Sequence, residues 1–470
     1  MTGAGTAHRR RRAATGPAAV VLALACASQF VVILDVSIVN LALPSVERDL
    51  GFTPTGLTWV VNGYLLTFAG FMLLGGRASD VFGHRGTLTT GLTTFAAASL
   101  VAGLADAPAV LVAARVVQGA GAAMLAPATL AVINTHFTAP HERARAFGAW
   151  SAAGGVGGMA GALAGGALTT SLSWRWVFFI NVPIGAVLVV TALAALTGTS
   201  GTRREPLDLT GAVTGTAGLA ALVYGVMQGA DHAWASARVA GPVVAGLLLL
   251  ALFVAVEAQV AERPMVPLGL FSRRGVAAGN GLLLLFGGIT IAMWYFTALF
   301  LQHVLGYSAF RAGLGQTPAA VTFVVVARCA AALLPRTGAR ARAAAGGACF
   351  VAGFGWLAQA GADSGYVTGI LGPTLVVASG IGLTFPTLMA ASTDDVPEAE
   401  SGIAGGLATT ASQVGGSIGL AVLATAAGVA THGATPDALA DGYQLVFHLA
   451  AGLGLAIAAA APLLPRLRRD

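Results

Sequence analysis

The stretch LDVSIVNLALP, Leu34 to Pro44, sets a carboxylate, Asp35, and an amide, Asn40, into an apolar run that begins near Pro17. A charge at the centre of a hydrocarbon layer costs about 2.5–3.5 kcal/mol on insertion scales, so an acid there is retained for a function or for a partner. Desolvation favours the neutral form of an acid, which suits one so placed to take up and release a proton. The rival reading is structural, with Asp35 permanently paired to Arg115 or hydrogen-bonded to Asn40. Arg115 and Gln118, three residues apart, share one face of their helix and offer it a cation and an amide. At 1.5 Å per residue, Asp35 and Arg115 both fall about 12 Å below the same surface, level enough to pair, with Asn62 close to that depth.

The rest of the chain is built to hold these groups in a membrane. Of its 470 residues, 56% are hydrophobic and 9% are charged, against roughly a quarter charged in a soluble domain. Apolar windows of about 20 residues recur along it, and nothing alternates as a barrel strand would. Their positions predict an all-α membrane protein with spans near 17–43, 56–76, 87–105, 107–133, 147–170, 174–197, 209–229, 239–260, 276–303, 311–334, 343–361, 366–391, 403–429 and 442–464. There is no lysine. Nineteen of the 25 arginines lie on the side of the N-terminus and four, Arg48, Arg175, Arg238 and Arg311, on the other. The positive-inside rule therefore puts both ends in the cytoplasm. The acidic loop 392–402 dissents, but acids weigh little in that rule. The net charge of +6 is scattered through short loops, which fits contact with a lipid bilayer and excludes nucleic acid as a partner.

Leu50-Gly51-Phe52-Thr53 recurs as Leu305-Gly306-Tyr307-Ser308, and Gly83-His84-Arg85 as Gly338-Ala339-Arg340, both at an offset of 255 residues. A common offset at equivalent loops points to two parallel six-helix repeats, a transporter architecture. The expected organisation is a tail at 1–16, a bundle at 17–200, two inserted helices within 201–262, a second bundle at 276–464 and a tail at 465–470. The same offset carries Asp35 onto Thr290, so the second half has no acid at that place.

On four stretches the chain resembles the major facilitator superfamily and, within it, the 14-helix branch of drug:proton antiporters. LDVSIVNLALP is similar to the first-helix signature of that branch. GRASDVFGHRG, with Gly76, Asp80, Gly83 and Arg85, resembles the loop between helices two and three of the whole superfamily, departing at Ala78 and His84. ARVVQGAGAAMLAP, with Arg115, Gln118 and Gly119, resembles the fourth-helix motif. Gly157, Gly161, Gly165 and Gly166 resemble the fifth-helix antiporter motif, with Ala162 where a proline is usual, and WRWVFFINVPIG follows them. The resemblance implies two six-helix bundles plus two central helices, working as a monomer in a bacterial cell membrane. It implies export of amphipathic or cationic small molecules, drugs or a self-made toxic metabolite, against inward protons. A proton-coupled importer on the same scaffold is the alternative that Ala162 keeps open.

In that frame Asp35 and Arg115 carry proton coupling, and Asp80 and Arg85 form a cytoplasmic latch or, more simply, a solvated loop. Asn40, Asn62, Tyr64, Gln118, Trp294, Tyr295 and Gln413 are candidates for a substrate cavity, and Trp and Tyr are equally ordinary interface anchors. Gln118 serves helix pairing as readily as substrate. Glu257 reads as interfacial. A chain without lysine cannot hold a G-x-x-x-x-G-K-[ST] phosphate loop, which argues against an ATP-driven pump. No catalytic constellation, metal site or cofactor is expected, and Cys26, Cys329 and Cys349 read as small buried residues.

Overall fold

The computed structural model describes residues 18–137, 139–196, 208–229, 232–259, 264, 266–393, 396–397, 400–433 and 435–465, while a few side chains within them, Asp80 included, lie outside the description. The predicted tail at 1–16, all but residue 465 of the tail at 465–470, and most of the link ahead of the insert also fall outside it. The described residues form fourteen helices. Those of the first half are α1 (Ala18–Leu50), α2 (Pro54–Phe82), α3 (His84–Gly103), α4 (Pro108–His136), α5 (Pro140–Ser171) and α6 (Trp176–Ala195). Next come α7 (Leu209–Gln228) and α8 (Ala237–Gln259). The second half holds α9 (Arg274–Val304), α10 (Ala309–Thr337), α11 (Ala339–Leu357), α12 (Tyr366–Ala391), α13 (Ser401–Ala430) and α14 (Pro436–Ala460).

Among the described residues, eleven of these helices are long and apolar enough to cross a membrane. The exceptions are α3, α5 and α11. Each is rich in Gly, Ala or Thr, small or polar residues of modest hydropathy, and α5 and α11 also open on arginines. Helices also run past the apolar windows expected for them. Helix α1 continues beyond Leu43 to Leu50, where Arg48 Nε bonds the Pro44 carbonyl at 3.1 Å, and α14 begins at Pro436 behind a Thr435 cap. Polar residues extend a helix into the headgroup layer, where hydropathy gives no signal.

The repeat is visible in the backbone. Gly51 and Gly306 have φ of 67° and 65°, and Gly83 and Gly338 have φ of 82° and 73°. These left-handed turns need glycine, and the 255-residue offset reproduces both. Thr53 and Ser308, again 255 apart, cap the following helices through Gly56 N–H and Arg311 N–H. Packing repeats too: α1 on α5, α2 on α4, and α3 on α4 and α6 correspond to α9 on α13, α10 on α12, and α11 on α12 and α14. The halves meet along two seams, α5 with α10 and α2 with α13. The insert breaks this symmetry, since α7 lies on α2 and α13 and so covers only one seam.

At the end of the molecule that carries Gly51 and Gly306, polar contacts join the two halves directly. Glu47 Oε2 lies 3.7 Å from His303 Nε2, and the Phe310 N–H donates to Thr170 Oγ1 at 3.2 Å; within the second half, His303 Nδ1 lies 3.1 Å from Tyr443 Oη.

Candidate functional site: a buried acid cluster in the first bundle

Five helices of the first half converge on Asp35, which is fully buried. Its Oδ2 pairs with Arg115 Nη1 at 2.5 Å, and its Oδ1 accepts from Gln118 Nε2 at 2.7 Å and Asn181 Nδ2 at 2.8 Å. Arg115, 1% exposed, also donates from Nε to the Val60 carbonyl at 2.9 Å and from Nη1 to Gln118 Oε1 at 2.7 Å. Its guanidinium lies 4.4 Å from the centre of the Tyr64 ring and 5.9 Å from that of Phe178. Gln118 Nε2 also reaches Ser99 Oγ on α3 at 2.7 Å.

A buried ion pair gains little net stability against its desolvation unless further hydrogen bonds complete it. Here they do. Three donors converge on one carboxylate, and the arginine fork is shared among the acid, an amide and a carbonyl. Protonating Asp35 would remove its charge and turn one acceptor into a donor facing other donors, so the whole cluster must rearrange when this one group changes state. The corresponding Thr290 does nothing similar: its hydroxyl bonds the Phe286 and Gly287 carbonyls of its own helix at 3.2 and 2.7 Å.

The sequence reading brought together Asp35, Arg115 and Gln118, and the structure adds Tyr64 to them by the cation–π contact. It missed Asn181 and Ser99. Asn181 was legible as a lone amide in the apolar run FFINVPIG, the same signal that marked Asn40, whereas a serine in a helix carries no such mark. The other cavity candidates lie apart from the cluster. Asn62 faces Met227 of the insert, 3.9 Å from its sulfur. Tyr295 is buried edge-on against Phe296, and Trp294, whose carbonyl accepts from Gln316, is half-buried, as is Gln413. Asn40 is nearly buried, with its Oδ1 unpartnered. Glu257, read as interfacial, is 3% exposed.

In the loop motif, Gly83 alone separates α2 from α3, and Gly76 faces Pro127 on α4. The described contacts run through its neighbours: Arg77 Nη2 donates to the Pro264 carbonyl at 2.6 Å, and Ser79 Oγ lies 2.7 Å from His84 Nδ1. Arg85 is half-buried, and the Asp80 side chain lies outside the described residues.

The fifth-helix glycines let two backbones touch. A Cβ at Gly157, Gly161 or Gly165 would stand 2.6–2.7 Å from the carbonyls of Phe30, Leu34 or Ile38 on α1, and one at Gly166 2.6 Å from Ala309 O on α10. Helix α5 thus packs tightly on the helix of Asp35 with one face and on the second half with the other. Ala162 sits in unbroken helix, and its N–H position points back to the Gly158 carbonyl, which also accepts from Ser37 Oγ at 2.7 Å. A proline at 162 would take away the helical donor and leave the serine. Ala162→Pro is therefore expected to insert and fold with a lowered thermal midpoint. Ser37→Ala should cost little alone but roughly 1–3 kcal/mol more beside Ala162→Pro, by stranding that carbonyl. Thermal unfolding of the four purified proteins checks it, and additive shifts would refute it.

Residues 25–420 match the profile of the Major Facilitator Superfamily. The chain belongs to the Major Facilitator Superfamily. It is 44% identical over 472 residues to the cephamycin export protein CmcT of Amycolatopsis lactamdurans, covering 99% of this chain and 96% of that one. It is 39% identical over 432 residues to the puromycin resistance protein pur8 of Streptomyces alboniger, covering 90% and 85%. The crystal structure of a D-xylose-proton symporter superposes with a TM-score of 0.69 at 14% identity, over 96% of this chain and 99% of that one, a likeness of fold. This superfamily member is accordingly a multi-pass membrane transporter, with Asp35 and Arg115 at the centre of its first bundle.

Proposed function

We propose that the protein exports an antibiotic-like small molecule, a drug or a metabolite toxic to its producer, in exchange for protons entering the cell. The observation that carries the coupling is the Asp35 cluster: one fully buried carboxylate on which Arg115, Gln118 and Asn181 all depend. The named relatives, an exporter and a resistance protein, support the substrate class and the direction. Both termini lie in the cytoplasm of a bacterial cell, all fourteen helices cross, and the monomer is the working unit. On that orientation the end where Glu47 meets His303 and Thr170 meets Phe310 is the external one. When the carrier faces outward, a proton from outside neutralises Asp35 and releases Arg115 and Gln118. When it faces inward the proton leaves, the donors re-form around the carboxylate, and substrate loads for the next cycle. One charge moving through about 100 mV supplies roughly 2.3 kcal/mol beyond any pH difference.

Everted membrane vesicles test this reading. An imposed acid interior should drive accumulation of a compound chosen by sensitivity profiling of an expressing strain, and collapse of the gradient should release it. Accumulation that is indifferent to the gradient would remove the coupling, while gradient-driven uptake by right-side-out vesicles would make the protein an importer.

A further inference from the structure

The inserted helices carry two acids outside the Asp35 cluster, Asp208 and Glu257. Asp208 caps α7, its Oδ1 accepting the Gly211 N–H at 2.8 Å. Glu257, near the end of α8 and 3% exposed, accepts the Val266 N–H on Oε2 at 3.0 Å. That leaves one oxygen on each, Asp208 Oδ2 and Glu257 Oε1, both buried and neither receiving a donor from the protein. The two turn to the same spot. A Cβ on Gly211 would stand 2.5 Å from the first and 2.8 Å from the second, so the two unpartnered oxygens face one small space beside that glycine. Two ionised carboxylates cannot share so small a buried space, because both oxygens would be acceptors and both charges negative. One proton between them supplies the missing donor.

We infer that Asp208 and Glu257 form a second proton-binding site, which clasps the inserted helix pair to the last turns of α2, ahead of Gly83. The clasp is a short chain of contacts. Glu257 holds the Val266 N–H, and two residues earlier the Pro264 carbonyl accepts from Arg77 Nη2 at 2.6 Å, six residues before the Gly83 link. Among the described residues, Asp208 on α7 and Arg77 on α2 are the charged groups whose fields act on Glu257. Loss of the proton sets two like charges against each other, parts α7 from α8 at this end and loosens the hold of Glu257 on the Val266 N–H. The proton exchanges with water on that side of the membrane, and no other reactant is needed. Gly211 is required because any side chain there would wedge the acids apart.

The inference rests on the transport reading only for its kinetic arm. The test uses full-length protein in liposomes, following the carboxyl C=O stretch by infrared difference spectroscopy through a pH titration. A protonated-carboxyl band should be present at neutral pH in the wild type and in Asp35→Asn. Glu257→Gln and Asp208→Asn should each abolish that band, since an amide N–H takes the place of the shared proton, and Gly211→Ala should abolish it by separation. In vesicles, Glu257→Gln should flatten the dependence of transport rate on pH at the Gly83 end. A band that survives both amide variants, or that falls as two independent titrations, overturns the inference. Because the spectrum needs no substrate, that result is distinct from a failure of gradient-driven export.

Discussion

In everted vesicles with an acid interior, Asp35→Asn protein should accumulate no more substrate than vesicles without the protein, while its insertion and its energy-independent substrate binding persist. The amide keeps the size and one acceptor of the carboxylate, so Arg115 retains partners in the new amide oxygen, in Gln118 and in the Val60 carbonyl. The titratable group is gone, however, and with it the proposed step that frees Arg115 and Gln118 on one side of the membrane and recaptures them on the other. Asp35→Glu keeps that step but moves the carboxyl by about one methylene, against donors set at 2.5–2.8 Å. It should transport slowly, with a displaced pH optimum. Binding is measured at equilibrium on purified protein and transport in vesicles, so the two effects separate. Full gradient-driven accumulation by Asp35→Asn would sink the coupling role and leave the acid as a structural partner of Arg115.

Much of this arrangement could be read from the chain alone, and the reasons differ by element. Membrane spans follow from hydropathy, which is a property of composition, so the helices fall within several residues of their expected positions. The ends escaped because Arg48 and the polar start of α14 continue a helix where apolar character stops. The duplicated loops were legible because Gly51, Gly83, Gly306 and Gly338 adopt a backbone that few other residues tolerate, which fixes both identity and spacing. The pairing of Asp35 with Arg115 followed from depth, since helix rise converts residue number into position across a bilayer. Depth does not give azimuth. Asn62 sits at nearly the same level yet turns toward Met227 on the insert, and Asn181, on a helix whose rotation the sequence did not fix, turns toward Asp35. The Asp208–Glu257 contact was invisible for the same reason, since it depends on how two inserted helices lean together around Gly211.

Removing Arg115 should have the other large effect, and the way it combines with Asp35→Asn tells a coupling pair from two separate residues. Arg115→Met strips the buried carboxylate of its counter-charge and leaves the Val60 carbonyl and Gln118 Oε1 without their donor. Breaking one partner out of a buried pair costs roughly 3–5 kcal/mol, much of it the penalty of the charge left behind. The single variant should therefore unfold at a clearly lower temperature in detergent and export nothing. In the double variant Asp35→Asn with Arg115→Met, this pair leaves no charge buried, and the introduced amide can still bond with Gln118 and Asn181. Its loss of stability should be smaller than the sum of the two single losses by about 0.5–3 kcal/mol, the usual coupling between contacting residues. Transport should stay at background in the double variant even as its thermal midpoint recovers, because stability returns with charge balance and proton exchange does not. Thermal midpoints and vesicle accumulation on the same four proteins decide the matter. Strictly additive stabilities would show that the pair is not an energetic unit, and restored export in the double variant would show that neither residue carries the proton.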